Sequence, residues 1–185
     1  MKRIALLMIS LLLCFAAGAA AENTQPAPDE TYECGDYAYI LLEDGSAEVT
    51  GYAGAASKLE VPGELDGYPV TTIGDSAFWE CDSLTDITLP DSVTTIGDAA
   101  FYWCKSLTDI TIPDSVTSIG DSAFGLCDSL TSITLPDSVT SIGDSAFYGC
   151  NSLILTVGRD SYAKQYAVEN GIQYTYPDAN NWLYE

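Results

Sequence analysis

Four cysteines recur at an interval of 23 residues, Cys81, Cys104, Cys127 and Cys150. Thiols in that number suggest a thiolate metal centre or a pair of disulfides. A structural zinc site needs four ligands converging at about 2.3 Å on one ion, whereas an even interval lays them along a line, about 5 Å apart if each interval is one turn of a stacked coil. Such a column does not converge, and no metal ligand is predicted. Disulfides between neighbours, Cys81 with Cys104 and Cys127 with Cys150, meet the Cα separation that a bridge requires, but side chains in register point the same way rather than at each other. The reading adopted is a column of small apolar side chains filling a tight interior. Cys34 is left over, with no partner that the sequence identifies.

Carboxylates form columns at the same interval: Asp75, Asp98, Asp121 and Asp144 in one, Asp91, Asp114 and Asp137 in another. Two unit charges 4 Å apart in water repel by about 1 kcal/mol, and an aspartate capping a turn stabilises it by about as much. Each column is therefore tolerable unaided and would gain from a divalent cation between rungs. The spacing fits neither an EF-hand nor a nonapeptide calcium repeat, so the aspartates are assigned to turns and caps, and no cofactor is predicted. The chain has no histidine, which removes histidine triads, bases and metal sites. A glycosidase would need only two carboxylates, one with a raised pKa; carboxylates copied once per repeat behave as structural residues. Gly-Asp-Ser-Ala-Phe is too short for a phosphate loop. No catalytic residue is predicted, and the chain is read as not an enzyme.

The repeats position these columns. Residues 130–152, LTSITLPDSVTSIGDSAFYGCNS, agree with residues 107–129 at 18 of 23 places, residues 84–106 keep the same period, and residues 59–83 share only their second half. A fixed period of this length signals a solenoid whose units bury their apolar faces only by stacking. The aligned copies give interior columns of Leu84, Leu107, Leu130 and Leu153, of Ile87, Ile110 and Ile133, of Val70, Val93, Val116 and Val139, of Ile73, Ile96, Ile119 and Ile142, and of Phe78, Phe101, Phe124 and Phe147. Alternation in Asp-Ile-Thr-Leu-Pro predicts a half-buried strand stopped by proline, paired in parallel with its copies. Pro-Asp-Ser is turn chemistry, Ser-Val-Thr-Thr-Ile a second extended piece, and Ala-Ala-Phe-Tyr-Trp-Cys a single helical or 3₁₀ turn with its phenylalanine inward. The fold class is an α/β solenoid: a short coil with a parallel sheet, an N-terminal β-hairpin cap around Asp44-Gly45 within 22–58, repeats over 59–152, and a helix-strand cap over 153–176, followed by a tail at 177–185. Nine of the twelve tyrosines fall in 22–58 or 153–185, where an open stack needs large side chains over its end layers.

The pattern L-x-x-I-x-L/I-P-x-S-V-T-x-I-G-x-x-A-F-x-x-C-x-S over 84–152 resembles BspA-like leucine-rich repeats, and SYAKQYAVENGIQY resembles the element that closes such arrays. The likeness spans about residues 40–176. It implies a right-handed coil of leucine-rich-repeat type in exported or surface proteins that bind other proteins, and it implies no catalytic residues.

Positions where the copies differ are the candidate contact residues. After each phenylalanine stand Trp79-Glu80, Tyr102-Trp103, Gly125-Leu126 and Tyr148-Gly149, and after each cysteine Asp82, Lys105, Asp128 and Asn151. Trp79, Tyr102, Trp103 and Tyr148, with Glu80 and Leu126 among them, predict an outward aromatic strip of the kind that binding hot spots favour; the alternative is that the rings fold over neighbouring turns and seal the edge. The second candidate is the outer face of the sheet, Asp86, Thr88, Asp109, Thr111, Ser132 and Thr134, where leucine-rich repeats commonly bind, by resemblance.

The first 21 residues have the layout of a secretory signal peptide, two cations and an apolar run ending Ala-Ala-Ala. A lipid anchor at Cys14 is the rival, opposed by the bulky Leu13 before it. Removal takes two of six cations, leaving four against 27 acids. Such a field repels nucleic acid and anionic lipid and favours cationic partners. The chain is thus read as a secreted or cell-surface monomer that contacts no membrane after signal removal. Its partner is an extracellular protein or, alternatively, a glycan stacked on the strip; a structural fragment of a longer surface protein is the third reading.

Overall fold

The computed structural model describes residues 30–178, so the expected signal peptide with Cys14, and residues 179–185 of the expected tail, lie outside the described residues. The described residues form a β-solenoid of about six turns with one short helix near its C-terminal end. In chain order the elements are β1 (Tyr32–Cys34), β2 (Tyr37–Leu41), β3 (Ala47–Tyr52), β4 (Lys58–Glu60), β5 (Glu64–Leu65), β6 (Tyr68–Ile73), β7 (Asp86–Thr88), β8 (Thr95–Ile96), β9 (Asp109–Thr111), β10 (Ser118–Ile119), β11 (Ser132–Thr134), β12 (Ser141–Ile142), β13 (Ile154–Thr156), α1 (Tyr162–Glu169) and β14 (Gln173–Thr175).

The predicted hairpin is β2 and β3, paired antiparallel around a tight turn in which Gly45 takes a left-handed φ of 82°. β1 adds a third antiparallel strand, and β3 pairs in parallel with β6, so the hairpin closes the first coil. The irregular half of the first repeat is a second, smaller hairpin. Asp66 and Gly67 both have positive φ between β5 and β6, the signature of a two-residue hairpin turn. Tyr39 reaches from the cap to Asp66, its hydroxyl 2.8 Å from the carboxylate.

From β6 onward the parallel strands are in full register, while β3 meets β6 with one register shift between Ala47 and Glu48. Ile73, Ile96, Ile119 and Ile142 are paired in succession along β6, β8, β10 and β12. On the other face Leu59, Ile87 and Ile110 align across β4, β7 and β9, and Ile133, Leu155 and Tyr174 across β11, β13 and β14. The sequence predicts one continuous sheet here; instead it is split, because among the described residues no pairing joins β9 to β11. At the break the strand is followed by Ile112 where its neighbours have Leu89 and Leu135, and Ile112 is the most exposed of the three.

The segment expected to be a helical turn is not helical. Ser76, Ala99, Ser122 and Ser145 have φ of 52–57°, and Glu80, Trp103 and Leu126, four residues further on, 55–64°. Left-handed residues at these intervals stop each turn from propagating. The N–H groups alternate in direction: Ala77, Trp79 and Cys81 bond back three residues within the coil, while Ser76, Phe78 and Glu80 donate to Asp98, Ala100 and Tyr102 of the next. A helix would keep all these bonds to itself; this chain spends every second one on its neighbour, as a strand does.

The phenylalanine column is the spine of the core. Phe78, Phe101, Phe124 and Phe147 stack at centroid separations of 5.1, 5.3 and 5.4 Å with planes within 8° of parallel. Tyr52 and then Tyr37 continue the stack at one end, and Tyr166 of α1 closes the other edge-on at 6.2 Å. This is the end-covering work expected of the flanking tyrosines. Burial pushes the Tyr37 phenol up to about 12, with Tyr52 and Asp36 adding to the effect.

Candidate functional site

The aspartate column is bound into the backbone. Asp75 Oδ1 accepts from the Asp98 N–H at 2.8 Å, Asp98 from Asp121 at 2.7 Å and Asp121 from Asp144 at 2.7 Å. Each carboxylate therefore caps the coil after its own, and an amide stands between rungs where a cation was the alternative. At the head of the column Glu48 is half-buried, and its carboxyl is raised by burial and by the charge of Asp75. A half-buried serine ladder runs alongside: Ser92, Ser115 and Ser138 donate to the carbonyls of Val70, Val93 and Val116 at 2.6–2.7 Å.

Cys81, Cys104, Cys127 and Cys150 are thiols, not the two disulfides weighed above. The S–H groups of Cys104, Cys127 and Cys150 donate to the carbonyls of Phe78, Phe101 and Phe124, all in the preceding coil, at 3.0–3.1 Å. Burial pushes Cys127 up to about 12 and Cys150 up to about 11. Contact with Cys81 and then burial raise Cys104, and the same contact lowers Cys81. The thiolate is the nucleophile, so at pH about 8 an alkylating reagent is expected to modify Cys81 before the other three. Peptide mapping by mass spectrometry checks this, and equal labelling along the column would overturn it.

The residues after each phenylalanine do form an edge. Trp79, Trp103 and Tyr148 are 46 %, 37 % and 64 % exposed. Tyr102 and Leu126 behave otherwise and follow the sealing alternative. Tyr102 is tilted against Trp79 at 4.8 Å and lies over Gly125, and Leu126 lies over Gly149. The small residues of one coil thus seat the large residues of the coil before. Glu80 is exposed beside Trp79 and lines with it, Tyr52 and Asp82 a cleft of about 240 Å³. Lys105 covers Trp103, its Nζ 4.1 Å from the ring centroid.

The sheet-face candidates are on the surface as expected, Thr88, Asp109, Thr111, Ser132 and Thr134 exposed and Asp86 partly so. The break between β9 and β11 opens a cleft of about 340 Å³ among Asp109, Thr111, Ser132 and Thr134. Asp86 is occupied by Lys58 at 3.0 Å. The remaining cations of the described residues are also engaged: Arg159 pairs with Asp178 at 2.8 Å and lies 4.4 Å over Tyr176, and Lys164 donates to the Arg159 carbonyl. Among the described residues no group of three or more acidic or thiol side chains is placed to hold a metal ion, and no helix is long and apolar enough to cross a membrane.

Sequence reasoning missed the left-handed turns beneath the edge. One letter signals them: Gly149, with φ of 82°, stands where the other coils carry Glu80, Trp103 and Leu126.

The sequence pattern of the BspA type leucine-rich repeat region matches residues 68–168 in six copies. Among solved structures, a leucine-rich repeat protein from Bacteroides capillosus ATCC 29799 is 34 % identical, the match covering 69 % of this chain and 98 % of the other, with a TM-score of 0.62. A leucine rich cell surface protein from Faecalibacterium prausnitzii A2-165 is 33 % identical over 83 % of this chain and 44 % of its own, with a TM-score of 0.66. The T. pallidum leucine rich repeat protein is 30 % identical over 69 % of this chain and 71 % of its own, with a TM-score of 0.56. A comparison with curated proteins finds no match.

Proposed function

Since the chain belongs to the BspA-type leucine-rich repeat family, whose fold suggests an interaction or structural role, we propose that it is a secreted or surface-displayed, non-enzymatic module that binds another protein through its aromatic edge. The observation that carries this reading is the row of rings along one edge, Trp79 and Tyr148 at 46 % and 64 % exposure with Trp103, one face under Lys105, between them at 37 %. The left-handed turn itself is common to every coil, made by Glu80, Trp103, Leu126 or Gly149, so the rings and not the backbone single this edge out. Exposed apolar side chains gathered in one place mark an interaction site, and tryptophan and tyrosine are the residues that hot spots favour. A neighbour described as a cell surface protein supports the location. The rings of Trp79 and Tyr102 are tilted by 35°, which does not give the flat, continuous platform that a stacked glycan chain uses.

The test is a paired array of extracellular proteins and of glycans, probed with the wild type and with Trp79→Ala/Trp103→Ala. Protein hits are expected, weakened at least about 30-fold in the double variant if each ring contributes more than 1 kcal/mol. Substituting Thr88, Thr111 and Thr134 by alanine should leave them intact. Retention on glycans alone, or protein binding indifferent to both rings, would overturn the proposal.

A further inference from the structure

The edge carries two tryptophans at adjacent positions of the repeat, Trp79 in the place of Tyr102 and Trp103 in the place of Glu80, and the residue after the cysteine has opposite charge in the two coils. In the second repeat the residue after the cysteine is Lys105, and its ammonium covers Trp103 at 4.1 Å. In the first repeat the corresponding residue is Asp82, and beside it Trp79 stands nearly half exposed. The cleft there, about 240 Å³, has Trp79 and Tyr52 as aromatic lining and Glu80 and Asp82 as carboxylates. At the far end of the coil the same set of groups is complete: Arg159 lies 4.4 Å over Tyr176 with the Asp178 carboxylate 2.8 Å away. A cation held between a ring face and a carboxylate is attracted by both. In the Trp79 cleft the ring and the carboxylates are in place, and every cation of the described residues is engaged elsewhere.

We propose that the Trp79 cleft receives the guanidinium or ammonium group of a basic side chain on the partner protein. The proposal rests on the edge being the contact surface and names the partner's chemistry there: a basic segment, drawn in by a chain with a net charge of −21.

The test uses the protein with 15N-labelled indoles, titrated with N-acetyl-argininamide in ~0.15 M salt, where the field of distant charges is screened beyond about 8 Å. The neutral citrulline analogue is the control. Arginine is expected to shift the Trp79 indole resonance saturably and citrulline to leave it unmoved. Trp103, whose ring lies under Lys105, should not respond, and Glu80→Gln/Asp82→Asn should weaken the Trp79 response at least fivefold. Equal shifts from citrulline, a Trp103 response as large as that of Trp79 in the wild type, or no response at all would each overturn the proposal. A protein partner that needs both tryptophans, with a silent arginine titration, would remove the cation and leave the edge standing. An arginine response from a protein that retains no partner would do the reverse.

Discussion

Phe124→Ala is expected to lower the unfolding free energy by about 4 kcal/mol, the middle of the range for a phenylalanine removed from a core. Phe124 is completely buried and stacked on both faces, 5.3 Å from Phe101 and 5.4 Å from Phe147. The neighbours cannot close the hole. Their backbones are fixed by the bonds from Phe101 N–H to Ala123 and from Phe124 N–H to Ala146, both 2.8 Å, so cavity and lost transfer energy add. Against a total stability of about 5–15 kcal/mol the loss is large, and urea denaturation will show it as a midpoint shift. Phe147→Ala should cost less, because that ring meets Tyr166 only edge-on and is slightly exposed. A loss under about 1 kcal/mol at Phe124 would mean that the stack is not what holds the coils together.

The second large effect is expected from a single methyl group. A Cβ on Gly120 would stand 2.6 Å from the Asp98 N and from the Gly97 carbonyl carbon, both backbone atoms of the preceding coil, and would press on the Asp98 carboxylate. Backbone cannot rotate away as a side chain can. Gly120→Ala should therefore push the two coils apart and loosen the Asp98 to Asp121 bond, at a cost of about 3 kcal/mol, the top of the usual range for overpacking. Gly63→Ala is the control, since its Cβ would meet nothing nearer than the Pro90 Cβ at 3.8 Å. Thermal unfolding of the two variants separates crowding from the general cost of replacing glycine; equal melting temperatures would refute the argument.

What could be read from the letters follows from where repetition constrains them. The phenylalanine, isoleucine and valine columns were legible because an inward position in a stack has one volume available and each copy must meet it. The end-covering tyrosines were legible by the reverse logic, as large residues where the repeats stop. The turn after each glycine was misread as helical because its left-handed residues are serine, alanine, glutamate, tryptophan and leucine, types that carry no local signal for positive φ. The aspartates were assigned as caps, but which coil they cap depends on their height in the stack, and spacing alone does not supply that. The parting of β9 from β11 was invisible because the strands on either side of it, Asp109-Ile110-Thr111 and Ser132-Ile133-Thr134, keep the same alternation of exposed and buried residues. Of the candidate edge, Trp79, Trp103 and Tyr148 are presented outward, whereas Tyr102 and Leu126 were drawn inward by Gly125 and Gly149, small residues in the coil that follows each of them.

The aspartate-to-amide bonds join each residue to its counterpart 23 positions onward. A rule written only between equivalent neighbours sets no overall length. Duplicating or deleting one whole repeat in the gene would leave every rung with a partner, and unequal recombination could lengthen or shorten the rod in a single event. Each such event would add or remove one pair of edge positions. The breadth of the contact surface can therefore vary by copy number, with no adjustment to the interior.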